Sequence, residues 1–128
     1  MAELNVSRKN IQGLLSLNDP TTKGKIFVIP EYQRPYRWEV DTCDVLWNDL
    51  KNFFEEHKDD DREYFLGSIV TCDDTDEQNR INIIDGQQRI TSFLLLLRAF
   101  YYKLEDQLVD NPSDEEVEGL MKSIEPCI

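Results

Sequence analysis

The chain has 128 residues, of which 40% are hydrophobic and 31% charged, with a net charge of −12. That is enough for one domain with its own apolar core, too apolar for a disordered tail, and without the roughly 20 consecutive apolar residues a bilayer span needs. The acidic sum also argues against a broad nucleic-acid face, because affinity for a phosphate backbone comes from Lys and Arg displacing counterions.

At the N-terminus, Met1-Ala2-Glu3-Leu4-Asn5 offers neither a basic start nor an apolar run, so no signal peptide is read and a cytoplasmic location is expected. Ile11, Leu14 and Leu15 predict a short helix over 7–17, ended by Asn18-Asp19-Pro20. A strand over 25–29 follows and Pro30 stops it. Pro30 and Pro35 keep the next stretch, Glu31 to Trp38, extended. Asp41 is a candidate N-cap for a helix carrying Leu46, Leu50, Phe53 and Phe54 to about His57. Asp59-Asp60-Asp61 reads as a solvated loop. Strands are predicted over 64–71 and 80–84, paired as an antiparallel hairpin. The longest helix is expected from Gln87 to about Val109, with an apolar stripe through Ile90, Phe93, Leu94, Leu97, Phe100, Tyr101, Leu104 and Leu108. Leu95 and Leu96 widen it, which predicts burial on more than one side. Ser113 and Glu116 have capping-box spacing and open a last helix with Val117, Leu120, Met121 and Ile124 on one face.

Charge is unevenly spread. Residues 41–77 carry 13 acids against 3 bases and residues 104–128 carry 8 against 1, whereas residues 23–40 carry 4 bases against 2 acids and residues 78–103 carry 4 against 1. This pattern suits a compact anion site on an acidic body. Cys43, Cys72 and Cys127 lie far apart and His57 is the lone histidine, which argues against zinc and against a disulfide framework. The acidic loop Asp73-Asp74-Thr75-Asp76 lacks the glycine and closing glutamate of a calcium loop.

Two stretches carry chemistry. Asp85-Gly86-Gln87-Gln88-Arg89 joins a buried strand to a long helix, whose first N–H groups have no intrahelical acceptor and attract anions. Gly86 permits a sharp turn, Gln87 and Gln88 add amides, and Arg89 offers a planar fork for phosphate oxygens. Asp85 can either cap the helix or hold a metal ion accompanying a phosphate. A plain structural reading stands beside this one: Asp85 caps, the glutamines are surface, and Arg89 pairs with a nearby acid. The second stretch, Tyr32, Gln33, Arg34, Tyr36, Arg37 and Trp38, interleaves aromatics with arginines and can stack a base or grip a phosphate. Its alternative is that Tyr36 and Trp38 anchor the loop while the arginines offset the acidic body.

Taken in order, I-P-E-Y-Q-R-P-Y-R-W, F-L-G-S-I-V and I-I-D-G-Q-Q-R-I-T resemble the N-terminal domain family of GmrSD-type restriction endonucleases over roughly residues 9–108. The resemblance implies an α+β, ParB/sulfiredoxin-like fold: a mixed sheet packed with helices and a long buried helix after the D-G-Q-Q-R corner. It also implies a nucleotide-binding sensor or NTPase domain of a defence system against modified or foreign DNA, often joined to a C-terminal HNH-type nuclease. By position, Gln33, Arg34, Gly86, Gln87, Gln88, Arg89 and Thr91 would bind a nucleoside triphosphate. Asp85 and Arg89 are the catalytic candidates for hydrolysis, with Asp85 as the ligand of a Mg²⁺ ion or of water. Ser92 stands where the family often has a second threonine, which keeps a hydroxyl. No Walker-A motif exists in the chain, so a P-loop mechanism is excluded.

The domain is expected over 1–110, with 111–128 beginning a helical extension of a longer protein whose C-terminal part, and with it DNA contact, is absent. The apolar face of the last helix is expected to lack a partner and suggests a homodimer. The competing functional class is a non-catalytic acidic interaction module, which has no need of arginines at a strand-to-helix corner and a facing loop.

Overall fold

Arg80-Ile81-Asn82-Ile83 alternates polar and apolar residues as a half-buried strand requires. In the computed structural model, which describes residues 4–17, 22–31 and 34–128, this stretch opens the central strand β3, Arg80–Asp85, with Ile81 and Ile83 buried. On one side β1, Ile26–Val28, runs parallel to it, with Ile26 opposite Arg80 and Val28 opposite Asn82. On the other, β2, Val70–Asp73, runs antiparallel, as the predicted hairpin requires, with Thr71 opposite Ile83. The sheet order is β1-β3-β2.

Helices fill the rest of an α+β fold. α1, Ile11–Leu15, is shorter than the expected 7–17 because Asn10 caps it, its side chain accepting from Gly13 N at 2.7 Å, and Leu17 takes a left-handed φ of 54°. Asn18, Asp19 and Pro20, the expected terminator, lie outside the described residues. α2, Val40–His57, starts one residue before the expected cap; Asp41 sits in its first turn, where the helix dipole favours an acid. α3, Gln87–Asp110, follows Gly86. α4, Glu115–Ile124, is capped by Asp114, which accepts from Val117 N at 3.2 Å, so the cap falls one residue beyond Ser113. A 3-10 turn, Glu125–Cys127, closes the chain.

Leu15, Ile83, Ile90, Phe93 and Cys127 form the core, flanked by half-buried Phe27, Leu46, Leu66, Ile69, Leu94 and Leu97. Three expectations are corrected. The predicted strand over 64–71 is mostly irregular, since Gly67 at φ 115° leaves the β region and only Val70 onward pairs. α3 is buried on more than one side in its first turns, which hold Gln87, Ile90, Ser92 and Phe93, but this burial does not continue along the helix, where Leu95, Phe100 and Val109 are exposed. The stripe on α4 does have a partner: α4 packs on α3, Val117 and Met121 are buried, and Tyr101 Oη donates to Glu125 Oε1 at 3.0 Å. Among that stripe Leu120 remains half exposed.

Candidate functional site: a cavity at the rim of the parallel strand pair

Because β1 and β3 are parallel neighbours, the chain leaves both at the same rim of the sheet. After β1 comes the proline-bounded stretch to Trp38; after β3 comes the Gly86 corner and α3. They enclose a cavity of about 470 Å³, walled by Ile29, Pro30, Glu31, Arg34, Pro35 and Tyr36 on one side and by Gln87, Gln88 and Thr91 on the other. The two sequence stretches, far apart in the chain, are thus brought together.

Gly86 has φ 96°, and a Cβ there would lie 2.9 Å from Ile69 Cγ1, so the corner needs glycine on both counts. Gly86 occupies the N-cap and has no side chain to bond the first turn, and Ile90 N donates to Gly86 O at 2.9 Å. The amides of the first turn keep the partial positive charge of an uncapped helix start. Asp85, expected either to cap or to hold a metal, does not cap: it ends β3 opposite Val70, is exposed, and lies outside the cavity lining.

Within the corner the side chains diverge. Gln87 is 8% exposed and lines the cavity. Gln88 donates from Nε2 to Pro35 O at 3.0 Å and accepts at Oε1 from Arg37 N at 2.7 Å. Thr91 Oγ1 donates to Gln87 O at 2.8 Å within the helix. Arg89 points elsewhere: at 3.6 residues per turn it lies on the opposite side of the helix from the cavity wall, and its Nη1 donates to Ser68 O at 2.8 Å. Of the corner, Gln87 and Gln88 thus share the cavity with Arg34, and Arg89 does not. Gln33 and Tyr32 lie outside the described residues.

Arg34 supplies the cation of the lining and Glu31 its carboxylate. Among the described residues no carboxylate pairs with Arg34. Tyr36 is seated by its hydroxyl, 2.8 Å from Ser92 Oγ and 3.8 Å from Cys43 Sγ. Ser92 already gives its one proton to Gln88 O at 2.9 Å, so Tyr36 is the donor of the pair. Loss of solvent around the phenol raises its pKa. Sequence reasoning missed this Tyr36–Ser92 bond; the signal was the i, i+4 spacing of Gln88 and Ser92, which sets both on one helix face. It also missed Glu31 and Ile29 as lining. Among the described residues no three His, Cys, Asp or Glu side chains gather as a metal site, and none of the helices is long and apolar enough to cross a membrane.

An α+β domain that sets a glycine strand-to-helix corner beside a proline-bounded loop is the class that fold and site define. The chain belongs to the family described as the N-terminal domain of GmrSD restriction endonuclease, which it matches over residues 12–126. Membership places it among restriction-type defence proteins. No curated protein is similar enough to count as a relative.

Proposed function

We propose that the domain is the nucleotide-binding sensor of a restriction-type defence protein acting on modified or foreign DNA, and that the cavity beside Gly86 receives the phosphates of a nucleoside triphosphate. The observation that carries this reading is Arg34: a cation without a carboxylate partner among the described residues, on the wall facing the uncapped start of α3. A guanidinium and a helix N-terminus converging on one space of about 470 Å³ suit a polyanion. Tyr36 and the apolar Ile29, Pro30 and Pro35 offer surface for a base or sugar.

Binding falls to Arg34, Gln87 and the first-turn amides. A magnesium ion carried by the phosphates would meet one carboxylate of the lining, Glu31, and not Asp85. Glu31 is likewise the lining's candidate base if the bound nucleotide is hydrolysed. Calorimetric titration of the four common nucleoside triphosphates, with and without Mg²⁺, tests the reading, with Arg34→Ala alongside. Saturable binding that Arg34→Ala weakens is the expected result; no heat from any of the four would end the proposal.

A further inference from the structure

We propose that Gln88 is a positioning residue, a clamp that fixes residues 35–37 on α3 and thereby aims Arg34 into the cavity, rather than a ligand-contacting one. The inference rests on the nucleotide reading only for what Arg34 meets. Both ends of the Gln88 amide are engaged with backbone: Nε2 donates to Pro35 O and Oε1 accepts from Arg37 N, two groups that flank Tyr36. A primary amide is the side chain that can donate and accept in one plane in this way. One turn along, Ser92 takes the Tyr36 hydroxyl. Three consecutive residues are thus gripped by an i, i+4 pair on one helix face.

The clamp reaches Arg34 through Pro35. Proline restricts the residue before it to extended backbone, so fixing Pro35 limits the directions open to Arg34. Pro35 also has no N–H, which leaves its carbonyl as the backbone group by which that residue can be held. An acidic or aliphatic residue at position 88 loses the donor to Pro35 O, and glutamate adds repulsion between carboxylate and carbonyl.

The test uses the whole chain in two arms. In the first, without nucleotide, trypsin cuts the Arg37–Trp38 bond, mapped by mass spectrometry; Arg34–Pro35 resists because proline follows the arginine. Gln88→Ala and Gln88→Glu are expected to cleave at Arg37 at least about tenfold faster than the parent, the scale of one or two lost hydrogen bonds, with little change in the thermal midpoint. Cleavage at the parental rate in both variants overturns the clamp. In the second arm ATP affinity is measured for Gln88→Ala, Arg34→Ala and the double variant. If Gln88 acts through Arg34, its substitution weakens binding in the parent and adds nothing once Arg34 is gone. Additive losses would make Gln88 a direct ligand and sink the proposal. Should the parent bind no nucleotide, the nucleotide reading fails, and the proteolysis arm still decides the clamp.

Discussion

The guanidinium of Arg89 lies against Gly67 so closely that a Cβ on Gly67 would sit 2.6 Å from Arg89 Cζ. Gly86, from the other motif, meets Ile69 in the same manner. Each motif therefore contributes a glycine where the other brings a side chain, and F-L-G-S-I-V and D-G-Q-Q-R interlock. Neither Gly67 nor Gly86 tolerates a side chain for conformational reasons either, with φ of 115° and 96°.

Gly86→Ala is expected to destabilise the domain by about 1–3 kcal/mol, from left-handed strain and the contact with Ile69. Gly67→Ala should cost less sterically, because the Arg89 guanidinium can swing aside, but it forfeits the bond to Ser68 O. Urea unfolding of both variants checks the order. Parental midpoints would refute the interlock.

Arg34 and Arg89 should separate cleanly in mutants. Arg34→Ala is expected to weaken triphosphate binding by about 1.5–3 kcal/mol, the scale of hydrogen bonds to charged groups, without loss of stability. Arg89→Ala should do the opposite, lowering stability by about 1 kcal/mol while affinity stays near the parental value. Calorimetry and chemical denaturation on both proteins decide it. A binding loss confined to Arg89→Ala would return the phosphate role to that residue.

Two carboxylates are expected to give part of the domain's stability a dependence on acid. The hydrogen bond from the His57 ring to Asp60, followed by that from Arg62 N, holds the Asp60 pKa below its ordinary value. Bonds from Asp76 N and then Glu77 N do the same for Asp74. A depressed carboxylate contributes stability above its unfolded pKa, about 4, and loses it as pH falls through the folded value. Denaturation midpoints should therefore drop below about pH 4, and Asp60→Asn with Asp74→Asn should flatten that part of the profile. A profile unchanged by both substitutions contradicts the assignment.

Cysteine chemistry should sort by position. Cys43 and Cys72 are exposed, whereas Cys127 is buried in the core and its burial pushes the thiol pKa up. Alkylation followed by mass spectrometry is expected to label Cys127 at least about tenfold more slowly than the other two. Equal rates would mean that the 3-10 turn opens readily.

The helices and the central strand were legible because their apolar residues keep one period: Ile81 and Ile83 alternate, and Ile90 and Phe93 recur on one helix face. The strand over 64–71 was misread because Tyr64, Phe65, Ile69 and Val70 have strand character, while Gly67 answers to Arg89, more than 20 residues on. Burial of the α4 stripe could not be seen because helical spacing identifies an apolar face, not what covers it. For the site, spacing located the Gly86 corner and the loop bearing Arg34. It could not tell that Gln88 and Arg89, adjacent in sequence, project to different sides and bond to carbonyls of two different segments.

The parallel pairing of β1 with β3 also sets an expected order for the folding of the chain. β2 and β3 join through a short connection, whereas Ile26 must find Arg80 across the whole of α2 and the segments after it. Closing the longer loop costs more chain entropy and tends to come later. The cavity walls are the continuations of those two distant strands, so the cavity exists only after that late closure. Occupancy would then report completed folding: a ligand held between Arg34 and the α3 start would bind the native state alone and raise the unfolding midpoint with the logarithm of its excess over Kd.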